Sequence, residues 1–476
     1  MPLPTHLSLR VAACLSVASI LAGCSSSDER ARNALNAYQA AAAANNLAAA
    51  KKALLQLVRA KDDVPDYWSE LGKLQASTGN YNDAYYAFSR AYELDRSNVD
   101  VLRSVTELAL RSGDLVSAQS HAEELSILSP GDPWPKLVKG WAAISQSHYD
   151  EAVADADSLL ANSPYDAPAT MLKARGLIGL NRDDDAIDVL TKQIQAQPSD
   201  AADRQLLSRI YERSGDWAKL LPITEQLSKL TPSNQENMLL LIEAAFRSGN
   251  VAAGRTASLR LLVPNADPRL IASILDEWED YWSSPQRISD ARSLGAKAVE
   301  LDRKLPYAAF LNRAGSPQDA VRLIANNASL PITGSNAEAN AVMADAWARM
   351  GNLSLAKARL DAVLAFDSGN ASALRARAEL DLRTGNAAAA VIDAQKLVTV
   401  LPDSSRDRLL LARSYAAADN NAWANRTLWR AFQDIPADEK IFAALKATKI
   451  GDADATRELQ QEFDRQRDQK VSRGML

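Results

Sequence analysis

Few residues of this chain stand at spacings that support chemistry. His121 and His148 each stand alone in their stretch, and His6 lies near the first residue. A solitary histidine reads as a surface or core side chain rather than a ligand. Asp183-Asp184-Asp185 gathers three carboxylates, as a cation site would. It lacks the glycine turn of a calcium loop and stands where a helix begins, where acids favour the positive end of the helix dipole. Trp278 and Trp282, set among Asp276, Glu277, Glu279 and Asp280, could stack on a sugar, but their i, i+4 spacing also suits core packing. No G-x-S-x-G elbow, phosphate loop or H-E-x-x-H pair occurs. The expectation is a non-enzyme with no catalytic residue, no metal site and no cofactor.

Whatever the chain presents must therefore be positioned by its architecture, and a 34-residue rhythm dominates that. Pro130, Pro164, Pro198 and Pro232 fall 34 apart, and Pro402 and Pro436 share their phase. Ala50, Ala84, Ala118, Ala152 and Ala186 hold a second slot, rejoined by Ala356, Ala390 and Ala424. Gly79, Gly113, Gly215, Gly249, Gly351 and Gly385 hold a third. The span 31–438 accommodates twelve such units. A period of this length means stacked helical pairs, none of which can bury its apolar face alone. The fold class expected is all-α: an α-solenoid of about twelve helix-turn-helix repeats, followed by a C-terminal capping region at 439–476.

The stretch 65–98 shows the pattern best. Trp68, Leu71, Gly72, Gly79, Tyr81, Ala84, Phe88 and Ala91 stand at W-x2-L-G and G-x-Y-x2-A-x3-F-x2-A spacing. It resembles the tetratricopeptide repeat family, with Gln75 in place of the usual tyrosine and Arg96 in place of the usual proline. Between the helices of a unit, Arg-Ser-Gly-Asp occurs at 111–114 and 213–216, echoed at 247–250, 349–352 and 383–386. Glycine there ends a helix in the left-handed conformation, Asp or Asn caps the next, and arginine faces the dipole's negative end. Two blocks, 31–268 and 337–438, keep the slots. Between them, at 269–336, the residues blur into two divergent pairs whose insertions and deletions cancel.

The N-terminus carries a separate signal. Val11 to Leu21 is apolar and uncharged, and Leu21-Ala22-Gly23-Cys24 follows, then three serines. The apolar stretch is short for a membrane span and reads as an export signal over 1–23. The tetrapeptide resembles the lipobox of bacterial lipoproteins, which implies lipidation of Cys24, a tether at 24–30 and the lipid as the anchor. Cys14 would leave with the signal, so the mature chain would hold no disulfide and no catalytic thiol. Net charge is −5, with both signs interspersed, and no basic stripe points to nucleic acid.

In the tetratricopeptide family the first helix of each unit lines a groove, with offsets two, five, nine and twelve pointing inward. That resemblance places Trp134, Leu137, Trp141 and Ile144 inward in unit 133–166, then Met171 and Arg175, then Arg209 with Gln205; Arg103 and Glu107 flank them. Trp134, Trp141, Met171, Arg175 and Arg209 form the expected partner-binding groove, since tryptophan, methionine and arginine are favoured at interfaces. Trp141 and Leu137 could equally pack between units. Together these features predict a periplasmic scaffold, lipid-anchored on the outer membrane, that binds proteins or peptides. It would serve an envelope process such as exopolysaccharide export, pilus assembly or outer-membrane assembly. The alternatives are a polysaccharide-binding solenoid and a regulatory subunit of a cell-wall enzyme.

Overall fold

The computed structural model describes residues 26–449 and 451–472. The expected signal at 1–23 and Cys24 lie outside the described residues. Among these there are helices and no strand, and they fall in two compact units meeting between Ala196 and Gln197. Each unit is a stack of helix-turn-helix repeats.

The first unit holds five pairs: α1 (Ser27–Ala43) with α2 (Leu47–Ala60), α3 (Pro65–Ser77) with α4 (Tyr81–Leu94), α5 (Val99–Arg111) with α6 (Leu115–Leu128), α7 (Pro133–Ser145) with α8 (Tyr149–Asn162), and α9 (Ala167–Gly179) with α10 (Asp183–Ala196). Within α3 and α4, Trp68, Leu71, Phe88 and Ala91 are buried. A Cβ on Gly72 would stand 2.8 Å from the Phe88 ring, so the glycine is what lets these two helices close on that ring. Ala84, Ala118, Ala152 and Ala186 are completely buried at the equivalent crossings.

The joints follow the expected chemistry with additions. Gly113 and Gly215 take φ of 78° and 70°, where an L side chain is strained. Asp114 and Asp216 accept hydrogen bonds from the amides of Ser117 and Lys219, whereas Asn352 and Asn386 make no side-chain cap bond. Asn45, Ser147, Asn181 and Asp419 occupy the glycine slot of other repeats and are left-handed as well. Asp and Asn tolerate this geometry better than most residues, which explains three of the four. The joint arginines are engaged: Arg111 lies over the Tyr81 ring, Arg247 pairs with Glu243, and Arg349 with Asp345 and Glu379.

The second unit runs α11 (Ala202–Ser214), α12 (Trp217–Leu230), α13 (Gln235–Arg247), α14 (Val251–Leu261), α15 (Pro268–Tyr281), α16 (Gln286–Lys297), α17 (Leu301–Arg313) and α18 (Pro317–Ile324). It continues through α19 (Ala337–Arg349), α20 (Leu353–Phe366), α21 (Ala371–Arg383), α22 (Ala387–Val400), α23 (Ser405–Ala417), α24 (Asn421–Asp434), α25 (Glu439–Ala447) and α26 (Ala453–Ser472). The first helices starting at Gln235, Pro268, Leu301 and Ala337 are 33, 33 and 36 residues apart, so the two lost positions are restored before the third step ends. Where the repeat residues blur, large aromatic side chains replace them. Trp278 is fully buried, meets Trp282 and Phe310 edge-on, and donates from Nε1 to Ser258 Oγ at 3.0 Å. Trp282 is also buried, so neither tryptophan is available to a sugar.

The last pair packs back on its own unit. Phe442 stacks on Phe463, and Gln466 Nε2 donates to the Phe432 carbonyl. The polar sequence of α26 suits a solvated helix, yet Leu459, Phe463 and Gln466 are buried on one face. Across the unit, Glu439 pairs with Arg247 at 2.5 Å, Lys440 with Asp280 at 2.8 Å, and Asp468 with Arg213 at 3.4 Å.

Candidate functional site

In the first unit, α7 begins at Asp132, whose Oδ1 accepts from the Trp134 amide while Pro133 starts the helix without a donor to lose. Arg103 grips the other carboxylate oxygen at 3.0 and 2.7 Å. The sequence placed Arg103 inward; here it serves to hold the start of α7. From this anchored start, Trp134, Leu137, Trp141 and Ile144 descend one stripe of α7. Leu137 and Ile144 are buried, whereas Trp134 and Trp141 are half-buried and pack on a core containing Leu137, Ala152 and Leu172. Trp141 therefore packs on the core and also lines a cavity.

That cavity has a volume of about 670 Å³, within the range of small-ligand sites. Trp134, Trp141, Met171 and Tyr149 form its apolar wall, and Glu107 and Arg111 bring charge to it. Arg175, one helical turn past Met171 on α9, lies over the Trp141 ring with Cζ 5.5 Å from its centre. Its Nε is buried with no hydrogen-bond partner, and burial lowers the guanidinium pKa with no carboxylate opposing the shift. The structure thus brings four of the five expected groove residues together. Arg209 belongs to the second unit, where Glu212 and Glu236 hold it at 3.0 and 2.6 Å.

A larger chamber, about 770 Å³, opens inside the second unit. Its lining is charged: Arg313, Glu338, Arg375, Glu379, Arg406 and Lys440 alternate with Leu305, Val342 and Leu409. Most of these charges are already matched. Arg313 pairs with Asp276 and Glu279, and Glu379 with Arg349. Arg375 holds Asp407 in a two-bond fork at 2.6 and 2.7 Å, with Asp407 completely buried. Burial, then Arg313 and Arg375 beside it, lowers the pKa of Arg406. On α15, burial pushes Glu277 up to about 7, reinforced by Glu243 and opposed by Arg247 and Lys440. Sequence reasoning missed this lining although its signal was present. The inward offsets carried to units starting at 337, 371 and 405 give Glu338, Arg375, Glu379, Arg406 and Arg413.

No group of three or more His, Cys, Asp or Glu residues suited to a metal occurs among the described residues. His121 is half-buried edge-on to Tyr92, with its pKa lowered by burial. His148 stands at the start of α8, and the three aspartates fill the first turn of α10. No helix among the described residues is long and apolar enough to cross a membrane.

Two stretches match tetratricopeptide repeat families. Residues 35–99 match the family described as "Tetratricopeptide repeat", and 136–266 match "Psidin, N-terminal TPR repeats region". The second match takes in Trp141, Met171 and Arg175. A curated relative, the phagocyte signaling-impaired protein of Aedes aegypti, is 25% identical over 130 residues, which are 27% of this chain and 14% of the relative. The chain thus covers only that small share of the relative's length. Among solved structures, PilW, a type IV pilus biogenesis factor, is 18% identical with a TM-score of 0.35, over 41% of this chain and 91% of that one. The pilF protein of Pseudomonas aeruginosa is 14% identical with a TM-score of 0.34, over 42% and 91%. A chain of the Naa15/Naa10 complex bound to HypK-THB is 12% identical with a TM-score of 0.30, over 94% and 77%. None of these likenesses bears on what this chain binds.

Proposed function

We propose that this chain is a non-catalytic scaffold, anchored by lipid on Cys24 to the periplasmic face of the outer membrane, whose first unit holds a segment of a partner protein. The observation that carries the binding role is the solvent-open cavity on which Trp134, Trp141 and Met171 converge beside Arg175. Tetratricopeptide repeats supply such surfaces by stacking, because each pair buries one face on its neighbour and leaves another free. Support for the anchor is the sequence at Leu21-Ala22-Gly23-Cys24 and the apolar stretch before it. The partner would belong to an envelope process such as exopolysaccharide export, pilus assembly or outer-membrane assembly. The polysaccharide alternative loses its first-choice residues, since Trp278 and Trp282 are buried.

Affinity capture from solubilised envelope tests the binding role. Replacing Trp134 and Arg175 together by alanine removes the captured partner, because hot-spot truncations cost about 2 kcal/mol or more, while the protein stays folded with a melting temperature lowered only by the packing that Trp134 gives up. A variant that unfolds, or that captures the same partner, sinks the groove. The anchor is tested apart from it: Cys24→Ala leaves the outer-membrane fraction, and retention after a high-salt wash rejects lipidation as the anchor.

A further inference from the structure

Arg175 stands apart from the paired arginines of the second unit. Arg313, Arg349, Arg375 and Arg377 each meet one or two carboxylates. Arg175 meets none: its contact is the face of Trp141, and its buried Nε has no acceptor. A ring face returns part of what a guanidinium loses on leaving water, but it satisfies none of the five N–H donors. The group is therefore held in place, partly desolvated and short of an anion, beside an apolar cavity of about 670 Å³.

We infer that this cavity takes a partner segment presenting an aromatic or aliphatic side chain together with an acidic one, the apolar group entering between Trp134, Trp141 and Met171 and the carboxylate pairing with Arg175. The inference rests on the proposed binding role of the cavity and adds the chemistry of the occupant. An acid in the segment recovers the missing charge-assisted hydrogen bonds, whereas a neutral or basic residue leaves the guanidinium unpaired. Recognition by charge is then a matter of specificity: the wrong segment is rejected by the cost of a cation without a partner. Glu107 and Arg111 already pair with each other at 3.6 Å, so the rim opposite offers no comparable spare charge.

The test is selection of random heptapeptides displayed on phage against the full chain, followed by synthesis of the winners with both termini capped. Enriched peptides should combine an acidic residue with an aromatic or aliphatic one. Changing that acid to its amide should weaken binding about tenfold or more, a difference of about 1.4 kcal/mol. Arg175→Met should abolish the distinction between acid and amide, and Arg175→Lys should restore part of it. The melting temperature of Arg175→Met should hold or rise, since no ion pair is lost.

If acid and amide bind alike but both need Trp134, this inference falls and the binding role stands. If no peptide is enriched, or the winners ignore Trp134→Ala, the binding role falls and takes this inference with it. An unfolded Arg175→Met makes the arginine structural and overturns the inference, as does Arg175-dependent binding of oligogalacturonate with no peptide bound.

Discussion

The two cavities are lined mainly by the first helices of successive pairs, yet they differ in how far their charges are matched. In the first unit Trp134, Trp141 and Met171 leave apolar surface open and Arg175 lacks an anion. In the second, Arg313, Arg375 and Glu379 are consumed by carboxylates and guanidiniums of their own unit. A lining whose charges are matched internally has little to gain from a guest, because any new ion pair must first break an old one. A lining with apolar surface and an unmatched cation gains from both. Size and number of charges therefore do not by themselves say which of two cavities has interactions left to offer.

The strongest challenge to that comparison is to delete one arginine from each unit. Arg375→Ala strands Asp407, which has no exposure, so it should cost about 3–5 kcal/mol in chemical denaturation. Arg175→Met should cost almost nothing, because no carboxylate loses a partner. Equal losses would mean that the unpaired arginine is structural after all.

A pH experiment sharpens the account of the second unit. Glu277 rises from an ordinary 4.5 to about 7, chiefly through burial and then Glu243, with Arg247 and Lys440 opposing and Asp280 adding to it. The folded state then holds this proton more tightly than the unfolded chain. Its contribution is fully present below about pH 4.5, is lost as pH rises to about 7, and changes little above that. Glu277→Gln should therefore gain on the parent protein through that window and keep the gain at pH 8. Parallel stability curves for the two proteins would remove Glu277 from the account.

The smallest expected effect concerns the glycine slot. Ser147, at φ of 63°, borders the apolar cavity, and Asp419, at 54°, holds the same slot in the second unit. Ser147→Gly should stabilise by about 1 kcal/mol, the order of the left-handed penalty. Asp419→Gly should gain less, because aspartate tolerates that conformation. The denaturation midpoint reads both, and a loss for Ser147→Gly would show that its hydroxyl matters more than its backbone.

Much of the fold was legible because it is local. Gly113, Asp114 and Ala118 each act within a few residues of their own position, through helix termination, capping and close crossing, so their 34-residue recurrence announces helical pairs without tertiary knowledge. Among the slot residues that break the glycine pattern, Asn45, Asn181 and Asp419 are types that tolerate φ above zero, whereas Ser147 was not legible, since nothing in a serine announces it. Of the groove, Trp134, Trp141, Met171 and Arg175 followed from repeat offsets carried over from a family resemblance. Arg209 shares those offsets, but whether a side chain is free depends on neighbours, and Glu212 and Glu236 occupy it.

By itself, then, the sequence determined the repeat length and the helical pairs, because these depend on residues a few positions apart, and the family resemblance implied which side chains each first helix turns inward. Tertiary structure decided what those side chains meet. Arg247 finds Glu439 across 192 residues, Asp407 receives the fork of Arg375 from the preceding repeat, and Arg175 finds only a ring. Whether a charge is matched is set by distance and burial in space, and no spacing along the chain encodes either.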